Sequence, residues 1–161
     1  MMDYKIRELK INEIPLLKDF LYQAIFQRDD KNLLPKDIIN EPQLKIYIDD
    51  FGRTGDFCLV ADVDGKVIGA VWCRIFFDEV KGFGYIDEHT PEFAISLDKK
   101  YRNMGIGTAL MKRMLQLLKE QGYRRTSLAV QKHNYAVRMY EKVGFKIVKE
   151  LEEEYLMVCQ L

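Results

Sequence analysis

The sequence has 161 residues, of which 48% are hydrophobic, 12% aromatic and 31% charged, with 10 glycines and 4 prolines. These proportions are typical of one compact domain and exclude a fibrous repeat or a long disordered tail. Lys plus Arg and Asp plus Glu number 25 each, and this zero formal net charge argues against nucleic-acid or membrane-surface binding. We therefore predict a single domain over residues 1–161.

The first 54 residues favour helices after one short strand. Alternating side chains over Tyr4–Glu8 predict an edge strand. Asn12 is placed to cap a helix with apolar residues at helical spacing that runs to about Gln27. The polar stretch Arg28–Thr54 contains enough apolar residues for a second helix.

The middle of the chain is rich in strand-forming residues. Phe57–Val63 and Lys66–Phe77 flank Asp64 and Gly65, and this pattern predicts an antiparallel hairpin. The run Glu92–Leu97 predicts a buried strand.

The clearest predicted helix follows. Gly105 opens it, Gly122 ends it, and Thr126–Val130 forms the next strand, so strand, helix and strand make a crossover between parallel strands. The apolar stripe of this helix consists of Ile106, Leu110, Met114, Leu117 and Leu118.

The C-terminal part completes the sheet. A short helix is predicted from about Asn134 to Lys142, and Gly144 closes it. Strands are predicted near Phe145–Leu151 and Tyr155–Leu161. Together these elements indicate a mixed sheet flanked by helices.

Cys58, Cys73 and Cys159 are odd in number and lie in apolar runs, which predicts buried reduced thiols. This suits the reducing cytoplasm, and the N-terminus shows no signal-peptide pattern. We therefore expect a cytoplasmic protein.

A phosphate-binding segment is indicated at the start of the central helix. Glycines 105 and 107 let a phosphate approach backbone N–H groups, and the helix dipole favours an anion there. A dinucleotide-binding fingerprint is disfavoured because Leu110 replaces its third small residue, and the P-loop Gly-Lys-Ser/Thr is absent. The segment consists of Arg102, Asn103, Met104, Gly105, Ile106, Gly107 and Thr108.

A second motif lies downstream, with Asn134 27 residues after Gly107 and then the run from Tyr140 to Phe145. In order and spacing the two motifs resemble the GCN5-related N-acetyltransferase (GNAT) superfamily. The resemblance implies an α/β (α+β) fold: a mixed, mostly antiparallel sheet of about six or seven strands, splayed between Glu92–Leu97 and Thr126–Val130. It places acetyl-CoA in that gap.

The resemblance also implies how acetyl-CoA binds. The diphosphate would contact backbone N–H groups from Asn103 to Thr108, and the pantetheine would run along Ile95, Ser96 and Leu97. Asn134 would contact the pantetheine amide, and the N–H of Ile95 or a neighbour would polarise the thioester carbonyl. The segment from Lys99 to Lys142 has a net charge of +9, with eleven basic and two acidic residues, and suits the phosphates. Its candidate contacts are Lys99, Lys100, Lys132 and Arg138.

Tyr140 matches the family's general acid, which would protonate the departing thiolate. Glu92 is the candidate base, because some family members keep a glutamate there. His89, Glu88 and Asp87 lie just upstream, and a water chain is a further alternative.

The predicted function is acetyl-CoA-dependent N-acetylation of a primary amine by direct attack, with no metal and no acetyl-cysteine intermediate. The rival hypothesis is a non-catalytic acyl-CoA-binding module. The acidic stretch Phe76–Glu92 favours a cationic acceptor, which could be a small molecule, a polyamine or a peptide amine. Many relatives dimerise, so a homodimer is compatible with the resemblance. Aromatic residues that could shape the acceptor pocket are Trp72, Phe76, Phe77 and Phe83.

Overall fold

The computed structural model describes residues 3–25 and 33–161. Within these residues, seven strands form one mixed sheet in the order β1-β2-β3-β4-β5-β7-β6. The strands are β1 Lys5–Glu8, β2 Phe57–Val63, β3 Lys66–Arg74, β4 Glu92–Leu97, β5 Arg125–Gln131, β6 Phe145–Glu150 and β7 Glu154–Gln160. The α-helices described are α1 Leu17–Ala24, α2 Pro42–Lys45, α3 Ile106–Glu120 and α4 Ala136–Val143. Short 3₁₀ helices precede the first three of them at Ile11–Leu16, Lys36–Asn40 and Lys99–Tyr101.

The sheet confirms the predicted fold class. The β4 and β5 strands are parallel, and the other neighbouring strands pair antiparallel. In the predicted hairpin, Asp64 and Gly65 both have positive φ, at 51° and 87°, as a two-residue type I′ turn requires. The β3 strand ends at Arg74 rather than at Phe77, so the loop to β4 is longer than predicted.

The predicted start of the first helix is wrong. The helical segment begins at Ile11, because the Glu13 carboxylate accepts a hydrogen bond from the Lys10 N–H at 2.8 Å, which makes Lys10, two residues before Asn12, the cap. Its first turns are 3₁₀, with Pro15, which has no N–H to donate, inside them. The α1 helix ends at Ala24, and the predicted end at Gln27 lies outside the described residues.

The predicted second helix is two short pieces, the 3₁₀ helix Lys36–Asn40 and α2, which has Pro42 in its first turn. Residues 28–32 of that prediction lie outside the described part of the chain. The central helix is confirmed, because Gly105 precedes α3 at φ 84° and Gly122 follows it at φ 90°. Gly144 closes α4 in the same left-handed conformation.

Each face of the sheet carries its own core. The α3 and α4 helices cover one face, where Leu110 and Met114 pack among Phe93 and Leu128. The α1 helix and the α2 region, residues 42–51, cover the other face, which includes Trp72. Because side chains alternate along a strand, successive residues of β4 face different cores. This alternation decides which of the two cores each residue of β4 faces.

Candidate active site

The β4 and β5 strands separate soon after they meet. Their register contains one pair, Glu92 opposite Ser127, and the Ser127 N–H bonds the Pro91 carbonyl at 3.1 Å. Backbone groups on a strand point alternately to its two sides, so the N–H and C=O of Ile95 also point toward β5. No ladder bond to β5 reaches that far along β4. The result is a gap in the sheet, bordered by free backbone groups.

The start of α3 presents backbone donors beside this gap. The first bond inside the helix runs from the Ala109 N–H to the Gly105 carbonyl at 3.1 Å. The preceding N–H groups of Ile106, Gly107 and Thr108 therefore have no partner within the helix. Left-handed residues directly before the helix turn the loop, with φ 63° at Asn103 and φ 84° at Gly105.

These donors fit a diphosphate. A Cβ at Gly105 would have no heavy atom within 4 Å, so the space above the loop is open. A Cβ at Gly107 would lie 3.5 Å from the sulfur of Met139 on α4, an ordinary contact distance. Gly105 thus shapes the loop, whereas Gly107 brings α3 and α4 close together. The unpartnered N–H groups and the positive end of the helix dipole match an anion's requirements.

The Arg102 side chain crosses the mouth of the gap. Its Nε donates to the Leu97 carbonyl at 3.0 Å, on the free edge of β4. Its Nη1 donates to the Tyr135 hydroxyl at 3.2 Å, on the segment that leads into α4. The two sides of the gap are therefore joined at its opening by one guanidinium.

Asn134 starts the second motif. Its Oδ1 accepts the Ala136 N–H at 2.9 Å, and its own N–H donates to the Gln131 carbonyl at 3.0 Å. The carbonyl oxygen of the side chain thus caps α4. The amide NH₂ is the group it retains for a ligand carbonyl.

Tyr140 lies on α4 and faces the α3-side core. Its ring meets that of Phe145 edge-on at 5.8 Å, and Phe145 in turn meets Phe93 of β4 at 5.4 Å. Burial raises the pKa of the Tyr140 phenol well above its usual value of 10. The hydroxyl therefore carries its proton throughout the neutral range.

Glu92 opens β4 on the opposite face and is 3% exposed. Its Oε2 accepts a hydrogen bond from the Tyr47 hydroxyl. Its Oε1 is buried without a hydrogen-bond partner in the described part of the chain. Desolvation by burial raises the pKa of Glu92 to about 7, against the lowering effects of Tyr47 and the Gly84 backbone. A carboxyl with this pKa can exchange a proton at neutral pH.

The loop between β3 and β4 covers Glu92. A Cβ on Gly82 would lie 2.0 Å from Oε1 of Glu92, and a Cβ on Gly84 would lie 2.7 Å from the backbone of Leu128 in β5. Ser127 Oγ donates to the Gly84 carbonyl at 2.6 Å. The loop is thus pressed against both strands where they part.

The other candidate bases are placed differently. Asp87 accepts from Thr90 Oγ1 at 2.8 Å and pairs with Arg125 at 2.7 Å, and these hydrogen bonds lower the pKa of Asp87 to about 2. Glu88 and His89 are exposed. Between Asp87 and Glu92, the buried Glu92 has the pKa suited to a base.

The remaining predicted contacts vary. Lys100 and Arg138 are exposed, whereas Lys132 pairs with Glu150 at 3.5 Å. Trp72 and Phe76 are buried in the core, and Phe77 and Phe83 are exposed on the β3–β4 loop.

The three cysteines are free and buried. Among the residues described, no group of side chains suited to a metal ion is found, and no helix is long and apolar enough to span a membrane.

Tyr47 is the site residue that the sequence did not indicate. It lies in the apolar run Ile46–Ile48, 45 residues before Glu92, and reads there as core. Only the three-dimensional packing brings its hydroxyl to the carboxylate.

Residues 22–145 match the acetyltransferase (GNAT) family. An "N-alpha-acetyltransferase" of Sulfurisphaera tokodaii is 34% identical over 113 residues, covering 63% of this chain and 68% of that protein. Human "N-alpha-acetyltransferase 30" is 28% identical over 154 residues, covering 93% of this chain and 41% of that protein.

Solved structures agree in fold. The PaiA N-acetyltransferase from Thermoplasma acidophilum, in complex with coenzyme A, superposes with a TM-score of 0.72 at 19% identity, covering 99% of this chain and all of that one. A GNAT-family acetyltransferase from Staphylococcus aureus gives 0.71 at 19% identity, covering 99% of each chain.

The chain belongs to the GNAT family of acetyltransferases. It is an acetyl-CoA-dependent N-acetyltransferase.

Proposed function

We propose that this enzyme acetylates the α-amino group of a peptide or protein, with Glu92 as the general base and Tyr140 as the general acid. The observation that carries the proposal is the Glu92 carboxyl, buried beside the gap with a pKa of about 7. The similarity to proteins named N-alpha-acetyltransferase supports the choice of acceptor.

The pKa values of amines favour an α-amino group. An α-ammonium has a pKa of about 8, whereas a lysine side chain has one of about 10.4. A base with a pKa of about 7 therefore takes the proton from an α-ammonium against a difference of about one unit, and from lysine against more than three. The buried Oε1 of Glu92, which lacks a partner among the described residues, is the oxygen available for this proton.

The residues on the other face would hold the donor. When bound, acetyl-CoA supplies an acetyl group activated as a thioester. The N–H groups at the start of α3, from Asn103 to Thr108, would bind its diphosphate, and the amide of Asn134 and the strand edge at Ile95, Ser96 and Leu97 would position its pantetheine arm. The Ile95 N–H would stabilise negative charge on the acetyl oxygen, and the Tyr140 hydroxyl would protonate the leaving thiolate.

The β3–β4 loop would form part of the acceptor site. It presents Phe77 and Phe83 to solvent and carries carboxylates at Asp78, Glu79 and Glu88. A cationic amine next to an apolar side chain matches that combination.

A set of matched peptides tests the acceptor. CoA release would be measured with one peptide in three forms: free N-terminus, N-terminus blocked but lysine free, and both amines blocked. We expect turnover with the first form only. Turnover with the lysine-only form would overturn the α-amine assignment, and so would the absence of turnover with the free N-terminus.

We also propose a cytoplasmic location, because all three thiols are free and buried, as a reducing compartment allows. A homodimer is a further hypothesis, which light scattering of the purified protein would test.

A further inference from the structure

We propose that Tyr47 is a positioning residue for the general base: its hydroxyl, fixed by the β3–β4 loop, holds Oε2 of Glu92 and leaves Oε1 to accept the proton. This inference rests on the proposed role of Glu92. It adds a residue from the α2 region to the reaction.

Tyr47 is held in place through its backbone, its ring and its hydroxyl. Its backbone carbonyl accepts the Trp72 Nε1–H at 3.1 Å, and its ring meets that of Phe76 edge-on at 5.4 Å. Its hydroxyl donates to Glu92 Oε2 and accepts the Phe83 N–H at 2.9 Å. Tyr47 is 8% exposed, and its hydroxyl makes both bonds at once, one as donor and one as acceptor.

These hydrogen bonds make the two carboxylate oxygens of Glu92 different. Oε2 is occupied by Tyr47, so a proton from the acceptor has Oε1 as its destination. Because Oε1 faces Gly82, the segment from Gly82 to Gly84 has to shift before an acceptor reaches it. The Tyr47 hydroxyl bonds the same segment at Phe83 and thereby connects the position of the loop to that of the carboxylate.

Tyr47 is the side chain that donates to Glu92, and the Gly84 backbone also lowers the pKa of this carboxyl. Arg74 is the cross-strand neighbour of Glu92 on β3, but its guanidinium is directed to Asp56 and to the carbonyls of the α2 region. Glu154 on β7 raises the pKa of Glu92 by charge repulsion. Cys73, next along β3, is buried, and burial raises its pKa, so it remains neutral.

The test is the pH dependence of kcat/KM between pH 5 and 10 in Tyr47→Phe. Loss of a hydrogen bond to a charged group corresponds to a pKa increase of about one to two units. We expect the acidic limb to move to higher pH by that amount, with the pH-independent value of kcat/KM, fitted together with the acceptor's own pKa of about 8, within about threefold of wild type. A merely structural role would lower the rate equally at all pH values and leave the limb in place, and that result would overturn the inference.

Tyr123→Phe is the matched control. Tyr123 packs edge-on against Phe57 at 6.3 Å in the α3-side core, on the other face of the sheet from Tyr47. We expect its removal of a partly buried hydroxyl to leave the limb unmoved. A shift in this control as large as that in Tyr47→Phe would overturn the assignment.

The Glu92→Gln background separates the two proposals. If Glu92→Gln retains the wild-type limb, Glu92 is not the base and the proposed function fails at that residue. If it removes the limb, and Tyr47→Phe then has no further effect on kcat/KM, both proposals are supported. An equal effect of Tyr47→Phe in both backgrounds overturns the role of Tyr47 alone.

A second variant covers the case in which Tyr47→Phe does not fold. Site-specific 3-fluorotyrosine at position 47 keeps the ring and hydroxyl but makes the phenol a stronger donor. The limb is then expected to move to lower pH. An unchanged limb in this variant would overturn the inference.

Discussion

Glu92 and Tyr140 lie on opposite faces of the sheet. Glu92 contacts Tyr47 of the α2 region, whereas Tyr140 contacts Phe145 in the α3-side core. The proposed base and acid therefore serve different reactants. An acceptor would approach from one face and the thioester from the other. Glu92 would therefore act only as a base and Tyr140 only as an acid.

Glu92→Gln is expected to lower kcat/KM by about 10²-fold, because the variant cannot take a proton from the acceptor. Only ionised Glu92 is active as a base. The wild-type kcat/KM should therefore rise as pH increases through about 7 and fall again above about 8, where the α-ammonium of the acceptor loses its proton. Steady-state kinetics over pH 5 to 9 measures the limb, and calorimetry with acetyl-CoA should give unchanged affinity as the control. A limb that persists in the variant would assign the base to His89 or to water.

The same substitution should stabilise the fold at alkaline pH. The pKa of Glu92 is 4.5 in its ordinary state and about 7 when folded, so between these values the folded protein binds more protons than the unfolded chain. Wild-type stability therefore falls as pH rises from about 4.5 to about 7, and the loss is complete above 7. The difference between Glu92→Gln and wild type should grow over that window by about 3 kcal/mol. Urea unfolding at pH 5 and pH 8 tests this, and a difference independent of pH would contradict it.

Tyr140→Phe should reduce kcat by about 10² to 10⁴-fold while acetyl-CoA still binds, because the ring still packs on Phe145 but has no proton to donate. Burial raises the pKa of Tyr140, so in wild type its ionisation should not limit the rate below pH 10. A series of acyl donors with thiols of decreasing pKa supplies the control. Better leaving groups should restore the variant most, and equal loss across the series would exclude proton donation.

Gly105→Ala and Gly122→Ala form a matched pair at the two ends of α3. Both glycines are left-handed, with φ 84° and 90°, and a Cβ would have open space at either. Each alanine should therefore cost about 1 kcal/mol of stability by backbone strain. Only Gly105→Ala should also weaken acetyl-CoA binding, by about tenfold, because the loop that directs the N–H groups is altered. Calorimetry decides, and equal affinity in the two variants would contradict the proposed phosphate site.

Gly105, Gly122 and Gly144 could be placed from the sequence because a left-handed residue at a helix end strongly favours glycine. The hairpin turn at Asp64 and Gly65 was predictable for the same reason. These are local effects, in which one residue's conformational preference decides the structure.

Contacts between distant segments could not be predicted in this way. Tyr47 meets Glu92 across 45 residues, and Arg74 is buried although its strand pattern gives no sign of a partner. The predicted cap at Asn12 was wrong because the Lys10 N–H donates to the Glu13 carboxylate, which makes Lys10 the cap. Each depends on a competing interaction that becomes visible only when the chain is folded.

The ion pair between Arg74 and Asp56 should be important for stability. The two side chains are 1% and 2% exposed and are joined by hydrogen bonds of 2.8 and 3.0 Å. Asp56→Ala would leave the guanidinium buried without its counter-charge, which should cost about 3 to 5 kcal/mol. The control is Asp49→Ala, whose exposed carboxylate makes a 3.9 Å contact with Lys45 and should contribute less than about 0.5 kcal/mol. Urea denaturation compares them, and similar values would contradict the prediction.

The gap between β4 and β5 gives this sheet two additional edges in its interior. Exposed strand edges are templates on which other chains can pair and aggregate. A ligand that fills the gap would cover them and stabilise the fold by about 2.7 kcal/mol at a concentration 100 times its Kd. The solubility and lifetime of this protein would then depend on the supply of its own acetyl donor, and the chain would be most vulnerable to aggregation when that donor is scarce.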